Sequence, residues 1–316
     1  MRKKLLFIYN PHAGKGQIKN HMIDILNILT NAGYDISVHP TQCKGDATGW
    51  TVNESDGYDL IVCSGGDGTI NEVATGMAQR KKLGKSEIPI GYIPAGSTND
   101  FARSFRISSD MTKAAEQITR GRNYRCDLGQ FNDSTFIYTA AFGLFTDVSY
   151  ETKQEVKNVL GHAAYVIEGA KRLDYIASYP LKITCDEGQF EGDYIYGMVT
   201  NTRSIGGFSK LTGNTVDMND GYFEVMLVKK PKSIADFNQI VHSLLNLDEI
   251  PNNESVQCFK TKEIKIESYI NVSYTLDGEN GGSHKEVIIK NRFKDWSLII
   301  PSKKDVAASG YLEGHL

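Results

Sequence analysis

The feature that most constrains the fold is a glycine-rich loop set between a strongly apolar run and a helical segment. Leu60–Cys63 is entirely apolar and leads directly into the loop Ser64-Gly65-Gly66-Asp67-Gly68-Thr69. A short apolar run of this kind predicts a buried strand. Thr69 and Glu72 have the spacing of a capping box, which predicts a helix that starts at Thr69. A strand, a tight loop and a helix in succession are typical of an α/β fold.

The composition of this loop favours phosphate binding. Its glycines let the backbone approach a ligand closely and adopt positive φ, and a helix N-terminus attracts anions. Asp67 would repel phosphate unless it serves a metal ion or a hydroxyl group, and magnesium is the usual solution. The loop is neither a Walker A motif nor a dinucleotide fingerprint. Taken alone, it could equally be a turn that binds nothing.

Two further loops change that balance. Asn10–Gly16 follows a predicted strand at Leu5–Tyr9, and Pro94–Arg103 follows one at Ile90–Ile93. The carboxyl ends of parallel strands meet at one edge of an open α/β sheet, where such folds bind ligands. We therefore expect the three loops to converge on one phosphate site.

Helical and strand patterns alternate through the first 130 residues. Helices are predicted at Ile18–Leu29, Thr69–Met77 and Ser109–Thr119, with Ser109 as the N-cap of the last. A further strand is predicted around Ile36 and Val38. This alternation favours an N-terminal open α/β domain with a mostly parallel sheet, over residues 1–130.

The rest of the chain is dominated by short β runs. Helices are predicted only within Glu155–Asp174 and Ile234–Leu247. Residues 131–316 are therefore expected to form an antiparallel β-sandwich domain, with the C-terminal tail packing back on the first domain. We expect the active site in the cleft between the two domains, since domain interfaces often bind ligands. The predicted strands are Thr135–Ala141, Leu181–Cys185, Tyr194–Thr200, Phe223–Val228, Glu263–Glu267, Val272–Leu276, Glu286–Ile289 and Trp296–Ile300.

Charge and cysteine content exclude several classes of protein. The formal net charge of −3 argues against a dedicated nucleic-acid binder. Five scattered cysteines, with no C-x-x-C pair, argue against a disulfide framework or a clustered zinc site. We find no apolar segment long enough to span a bilayer. A cytoplasmic protein is the expectation.

Taken together, the motifs resemble those of the bacterial diacylglycerol kinase-like lipid kinases, which are related to sphingosine kinases and NAD kinases. The resemblance covers nearly the whole chain. Its motifs lie, in order, at Asn10–Gly16, Gly65–Asn71, Pro94–Arg103, Arg125–Gly129, Asn219–Gly221 and Asp277–Glu279.

The resemblance implies ATP as phosphate donor, Mg²⁺ as cofactor and a lipid hydroxyl, most simply that of diacylglycerol, as acceptor. It makes Glu279 the general base, gives Asp67 a catalytic role, and places a structural magnesium at Asp217, Asp220 and Tyr222. It assigns nucleotide contacts to Asn10, Lys15, Thr41, Gly65, Gly66, Asp67, Gly68, Thr69, Ile70, Asn71 and Ser97. It adds supporting roles for Asp127, Asp277 and Arg103, the last beside the lipid or the transferred phosphate.

Several alternatives stay open at this point. The residues around Glu279 could form a hairpin loop without catalytic function. The acceptor could be a sphingoid base, phosphatidylglycerol, an undecaprenol-like alcohol or NAD, and a non-catalytic ATP-binding regulator would keep the same loops. A Rossmann dehydrogenase is the poorest fit, because the dinucleotide fingerprint is missing.

A lipid substrate also has consequences for location. Such an enzyme has to reach a bilayer, so we expect transient peripheral contact with the inner face of the membrane. The oligomeric state stays open, a homodimer included.

Overall fold

A computed structural model describes residues 2–97, 99–144, 176–201, 218–245 and 253–308. The chain divides into two compact units. Unit 1 holds Met1–Cys126 and the chain from Lys294 onward, and unit 2 holds Asp127–Phe293. The helix predicted within Glu155–Asp174 lies outside the described residues.

Unit 1 is built around parallel strands. β1 pairs with β2 and with β3, β3 pairs with β4, and the end of β13 pairs with β4 through Leu298 and Ile90, all in parallel. Their bounds are β1 Lys3–Tyr9, β2 Tyr34–Pro40, β3 Leu60–Gly65, β4 Ile90–Pro94 and β13 Glu279–Ile300.

Helices α1, α2 and α3 lie between successive strands from β1 to β4, α4 and α5 follow β4, and α7 follows β13. Their bounds are α1 Ile18–Asn31, α2 Asp46–Gly49, α3 Asp67–Lys82, α4 Asp100–Ser104, α5 Met111–Arg120 and α7 Lys303–Ala308. A π-helical turn follows α2 at Trp50–Glu54. The predicted Ser109 cap is wrong, because the Asp110 side chain accepts hydrogen bonds from the backbone N–H groups of Thr112 and Lys113.

The C-terminal end of β13 is fixed to unit 1 by packing and by charge. The Trp296 ring is fully buried and stacks on Phe101 of α4, with 5.9 Å between ring centroids. Lys81 Nζ lies 2.8 Å from Oδ1 of the buried Asp295. A segment far along the sequence therefore completes the core of the first unit.

Unit 2 is strand-rich and antiparallel, and its one described helix, α6, spans Ile234–Leu245. The strand bounds are β5 Arg122–Phe131, β6 Ser134–Phe136, β7 Thr139–Gly143, β8 Tyr179–Cys185, β9 Gly188–Thr200, β10 Phe223–Lys229, β11 Val256–Thr261 and β12 Glu263–Leu276. β5 and β13 contribute residues to both units.

The expected strand-rich C-terminal region is confirmed. Instead of two separate sheets, six of the described strands follow one hydrogen-bonded order, β11-β10-β9-β7-β12-β13, while β5 pairs with β13 and with β6. β7 and β8 share the position between β9 and β12, since each pairs with both of them at different residues. The two short strands predicted within Glu263–Leu276 are one strand, with a register shift between Glu267 and Val272.

The core of unit 2 is aromatic and aliphatic. Phe136 stacks on Phe223 with 5.5 Å between ring centroids, and Tyr274 packs edge-on against Phe131 with 5.0 Å between centroids.

In the part of the chain that the structure describes, no helix is both long and apolar enough to cross a membrane.

Candidate functional site

The three glycine-bearing loops of unit 1 meet through their backbones. The Asn10 N–H donates to the Ser64 carbonyl at 2.8 Å, and the Ala95 N–H donates to the Gly65 carbonyl at 2.7 Å. These bonds tie the loop after β3 to the loops after β1 and β4. The convergence expected from strand order is therefore present in the folded chain.

Glycine is required where these loops touch. Gly14 has φ +54°, and a Cβ added there would lie 2.5 Å from the Ala95 carbonyl oxygen. A Cβ on Gly65 would lie 2.2 Å from the Thr69 hydroxyl oxygen. A side chain at Gly14 would push the first and third loops apart, and one at Gly65 would displace Thr69 within its own loop, so glycine is needed at both positions.

Helix α3 begins two residues before the predicted start. Gly66 is the N-cap, in an extended conformation, and Asp67 is the first helical residue, with 9% of its surface exposed. The predicted capping box is wrong, because the Glu72 carboxylate accepts from the N–H groups of Gly45 at 2.8 Å and Ala47 at 3.1 Å. Glu72 therefore secures the segment around α2, and the loop itself presents the start of a 16-residue helix.

The other predicted nucleotide residues are spread around these loops. Thr41 follows β2, is buried, and donates its N–H to the Tyr9 carbonyl at 2.8 Å. The Asn71 amide oxygen accepts from the Thr75 hydroxyl at 3.1 Å. Lys15 and Ser97 are exposed in the first and third loops. Ile70 is fully buried, so its side chain serves the core.

A cavity of about 940 Å³ opens beside the third loop, and Ser97, Asn99 and Arg103 contribute to its wall. Arg120 on this wall pairs with Asp305 at 2.8 Å and with Glu116 at 3.3 Å. The lining holds four basic side chains against two acidic ones, so the cavity is basic. These side chains are Arg103, Arg106, Lys113, Arg120, Glu116 and Asp305.

In unit 2, Asp277 and Gly278 form the two-residue turn between β12 and β13. Both have positive φ, at 51° and 80°, as a type I′ turn requires. The buried Asp277 carboxylate accepts from the N–H groups of Ile137 at 2.8 Å, Tyr138 at 3.0 Å and Thr139 at 2.9 Å. Glu279, the exposed first residue of β13, thus follows a tightly anchored turn.

A second acidic turn of unit 2 lies at Asn219–Gly221. The buried Asp127 carboxylate accepts from the Gly221 N–H at 2.8 Å, and Asp220 Oδ1 accepts from the Tyr222 N–H at 2.9 Å. Asp217, the third predicted magnesium ligand, lies outside the described residues. Within the described ranges, no group of three or more His, Cys, Asp or Glu side chains could hold a metal ion.

Sequence reasoning missed an ion cluster at this turn. Lys260 Nζ lies 3.2 Å from Asp220 Oδ2 and 3.0 Å from Glu224 Oε1. Burial raises the pKa of Glu224 to about 7, although Lys260 acts in the opposite direction. The one available signal was a charged residue inside the apolar strand Phe223–Val228.

Comparison with known proteins supports the family resemblance that the sequence motifs indicate. The diacylglycerol kinase catalytic domain family matches residues 4–131. A diacylglycerol kinase from Staphylococcus aureus (strain MRSA252) is 36% identical over 283 residues, which is 89% of this chain and 88% of that protein. One from Bacillus subtilis (strain 168) is 34% identical over 304 residues, 96% of this chain and 98% of that protein.

The fold agrees as well. A crystal structure of a diacylglycerol kinase from Bacillus anthracis str. Sterne matches with a TM-score of 0.68 and 25% identity. The match covers 95% of this chain and 97% of that one. On this sequence and fold similarity, the chain belongs to the diacylglycerol kinase family of lipid kinases.

Proposed function

We propose that the chain transfers the γ-phosphate of ATP to the hydroxyl group of diacylglycerol and so produces phosphatidic acid. The observation that carries the proposal is the backbone convergence of the loops after β1, β3 and β4, bonded from Asn10 to Ser64 and from Ala95 to Gly65. It supports a phosphate site at the edge where α/β sheets bind ligands. The relatives named diacylglycerol kinase support the acceptor.

The proposal assigns phosphate handling to unit 1. The backbone at Gly65 and Gly66 and the start of α3 would face the phosphates. The exposed ammonium of Lys15, in the first loop, would offset their charge. Phosphoryl transfer depends mainly on positioning and on charge neutralisation. Rigid loops tied by backbone bonds suit that task.

A magnesium ion fits the same loop. Asp67 is a largely buried carboxylate at the first position of α3, where a bare negative charge beside phosphate would be repulsive. Carboxylate oxygen is the ligand that Mg²⁺ prefers, together with phosphate oxygens. When bound there, the ion would neutralise charge on the phosphates, and Asp67 is the residue that would hold it.

The proposal assigns the proton transfer to unit 2. Glu279 would accept the proton of the acceptor hydroxyl as its oxygen attacks phosphorus. Its backbone position is set by the Asp277 turn, which three N–H donors hold in place. A general base of this kind contributes roughly 10²–10⁴ in rate.

Arg103 would bind the anionic part of a substrate or product. It lies on the wall of the basic cavity beside the third loop. A guanidinium group offers several N–H donors to phosphate in a fixed geometry. We therefore expect Arg103→Ala to raise the KM for ATP by a larger factor than it lowers kcat.

The structural magnesium expected at Asp217, Asp220 and Tyr222 is not part of this proposal. Both carboxylate oxygens of Asp220 already accept from donors, one of them the Lys260 ammonium. A positive side chain at this distance does not fit a resident divalent cation. No step of the reaction is assigned to this position.

Because the acceptor is a membrane lipid, the proposal includes transient contact with the inner face of the membrane. More of the protein should co-sediment with vesicles that contain diacylglycerol than with vesicles that lack it. Equal sedimentation with both would remove lipid-dependent contact from the proposal.

The deciding experiment is phosphate transfer from labelled ATP to a panel of diacylglycerol, a sphingoid base, phosphatidylglycerol and NAD. We expect label in phosphatidic acid, and a fall of about 10²–10⁴ in kcat for Glu279→Gln. Glu286→Gln, an exposed glutamate on the same strand, is the matched control and should retain activity. Label in NAD alone would overturn the acceptor, and full activity of Glu279→Gln would remove Glu279 from its role.

A further inference from the structure

A lysine occupies the position beside Asp220 where the family resemblance led us to expect a metal ion. Lys260 on β11 is the direct cross-strand partner of Glu224 on β10. Its ammonium nitrogen lies 3.0 Å from Glu224 Oε1 and 3.2 Å from Asp220 Oδ2. One cation therefore faces two carboxylates, one in the Asn219–Gly221 turn and one in β10, the strand that follows this turn.

Both carboxylates need a positive partner. The Glu224 side chain is 6% exposed, and the residue lies in a strand whose other buried positions, Phe223 and Val225–Val228, are apolar. A buried carboxylate without a counter-charge is costly. By distance the Lys260–Glu224 contact is an ion pair, and Lys260 reaches Asp220 with the same nitrogen.

The Asn219–Gly221 turn has its other attachments in place without an ion. Asp127 holds the Gly221 N–H, and the Asp127 N–H donates to the Met218 carbonyl at 3.0 Å. Asp220 itself bonds to the Tyr222 N–H. What remains to be supplied at this turn is positive charge on Asp220 Oδ2, and that is the atom Lys260 approaches.

An ammonium group and a magnesium ion bound to the same Asp220 carboxylate would repel each other. Mg²⁺ binds oxygen at about 2.1 Å and requires a near-octahedral set of ligands. An ion bound to Asp220 Oδ2 would therefore lie within about 5 Å of the Lys260 nitrogen and would be repelled by it. The lysine and the metal are alternatives.

We propose that the Lys260 ammonium takes the place of a resident divalent cation, neutralising Asp220 and Glu224 and holding the Asn219–Gly221 turn without a metal. The inference concerns the folded state of unit 2 and goes beyond the proposed reaction. Magnesium that accompanies ATP at the loops of unit 1 is unaffected by it.

The test is thermal unfolding of the full chain without ATP or lipid, first in EDTA and then in millimolar MgCl₂. The wild-type midpoint should be the same in both. Lys260→Met should unfold at a lower temperature in EDTA, because two carboxylates lose their cation, and added Mg²⁺ should recover part of that loss.

Lys265→Met is the matched control. Lys265 also lies between two carboxylates, at 2.9 Å from Glu267 and 3.4 Å from Glu286, and its side chain is 36% exposed against 35% for Lys260. Its partners are far more exposed than Glu224, so its loss should change the midpoint little and create no response to Mg²⁺.

Two results would overturn the proposal. One is a wild-type midpoint that falls in EDTA and returns with Mg²⁺, and the other is a Lys260→Met midpoint equal to that of the wild type in EDTA. If Lys260→Met does not fold, metal analysis of dialysed wild-type protein decides. Less than a tenth of an equivalent of magnesium supports the proposal, and a full equivalent contradicts it.

Discussion

Gly96 faces Gly66 so closely that a methyl group added to Gly96 would lie 2.7 Å from the Gly66 Cα atom. The same methyl group would lie 2.9 Å from the Asn99 side-chain oxygen, which accepts the Gly96 N–H. The loops after β3 and β4 are thus packed backbone against backbone. The absence of side chains at this contact is part of the site's construction.

Gly96→Ala should destabilise unit 1 because the clash is with backbone, which cannot rotate away. Overpacking of this kind costs about 1–3 kcal/mol of unfolding free energy. Gly66→Ala is the matched control, since its added methyl would lie 3.6 Å from the Gly96 Cα atom, an ordinary contact. Urea unfolding of both variants measures the difference, and equal midpoints would show that the loops are looser than described.

The anchoring of Asp277 gives a second prediction. Asp277→Asn replaces an acceptor of three backbone N–H groups with an amide whose NH₂ group must face one of them. Hydrogen bonds to a charged group contribute about 1.5–3 kcal/mol each, so we expect a loss of at least about 2 kcal/mol. Activity should fall as well, because Glu279 follows this turn.

Asp133→Asn is the control for that prediction. Asp133 also lies in a two-residue hairpin turn, between Phe131 and Ser134, but it is exposed. Its replacement should change the unfolding free energy by less than about 0.5 kcal/mol. If both variants lost equal stability, turn chemistry rather than the buried carboxylate would be the cause.

Much of unit 1 could be predicted because its signals are local. The apolar runs of β1, β3 and β4 and the glycine loops after them can be read within a few residues. The Glu72 contacts could not, since its partners Gly45 and Ala47 are far away in sequence. The missed strand β11 has six residues, Val256–Thr261, whose apolar and polar positions do not alternate, so its sequence does not distinguish it from a loop.

The same reasoning explains why the ion cluster of Lys260, Asp220 and Glu224 could not be predicted from the sequence. Lys260 and Glu224 are joined by strand register, which a single sequence does not reveal. Asp277 was recognised by its motif, but its three N–H donors come from residues 137–139, about 140 positions away. Motifs identified the candidate residues, and long-range pairing determines what each one contacts.

Helix α5 provides a third prediction, because the structure moves its cap by one residue. Asp110→Ala should lower the unfolding free energy by about 1 kcal/mol, since two backbone N–H groups lose their acceptor. Ser109→Ala, at the cap expected from sequence, should change it by much less. Chemical denaturation of the two variants separates the alternatives, and a larger loss for Ser109→Ala would restore the sequence-based assignment.

The cap should also depend on pH. Hydrogen bonds from the Thr112 hydroxyl and the Lys113 N–H hold the pKa of Asp110 below its usual value. A lowered pKa in the folded state means that the stabilisation is present above the unfolded-state pKa and is lost as pH falls. The difference between wild type and Asp110→Ala should therefore shrink from pH 6 to pH 3. A difference that grew on acidification would contradict this assignment.

The final prediction concerns how the segment after β2 is held. The Glu72 carboxylate accepts from the Gly45 and Ala47 N–H groups, while the Glu72 carbonyl accepts from the Thr48 hydroxyl at 2.9 Å. Glu72→Ala removes only the first two bonds, so it should cost about 1–3 kcal/mol and loosen the segment that begins at Thr41. Because the family resemblance implies a nucleotide contact for Thr41, KM for ATP should rise while kcat changes little. The control is Glu54→Ala, at an exposed glutamate of the π-helical turn, which should change neither the unfolding free energy nor the KM for ATP.

A fall in kcat at unchanged KM in Glu72→Ala would mean that α3 itself had shifted, because α3 carries both Glu72 and Asp67.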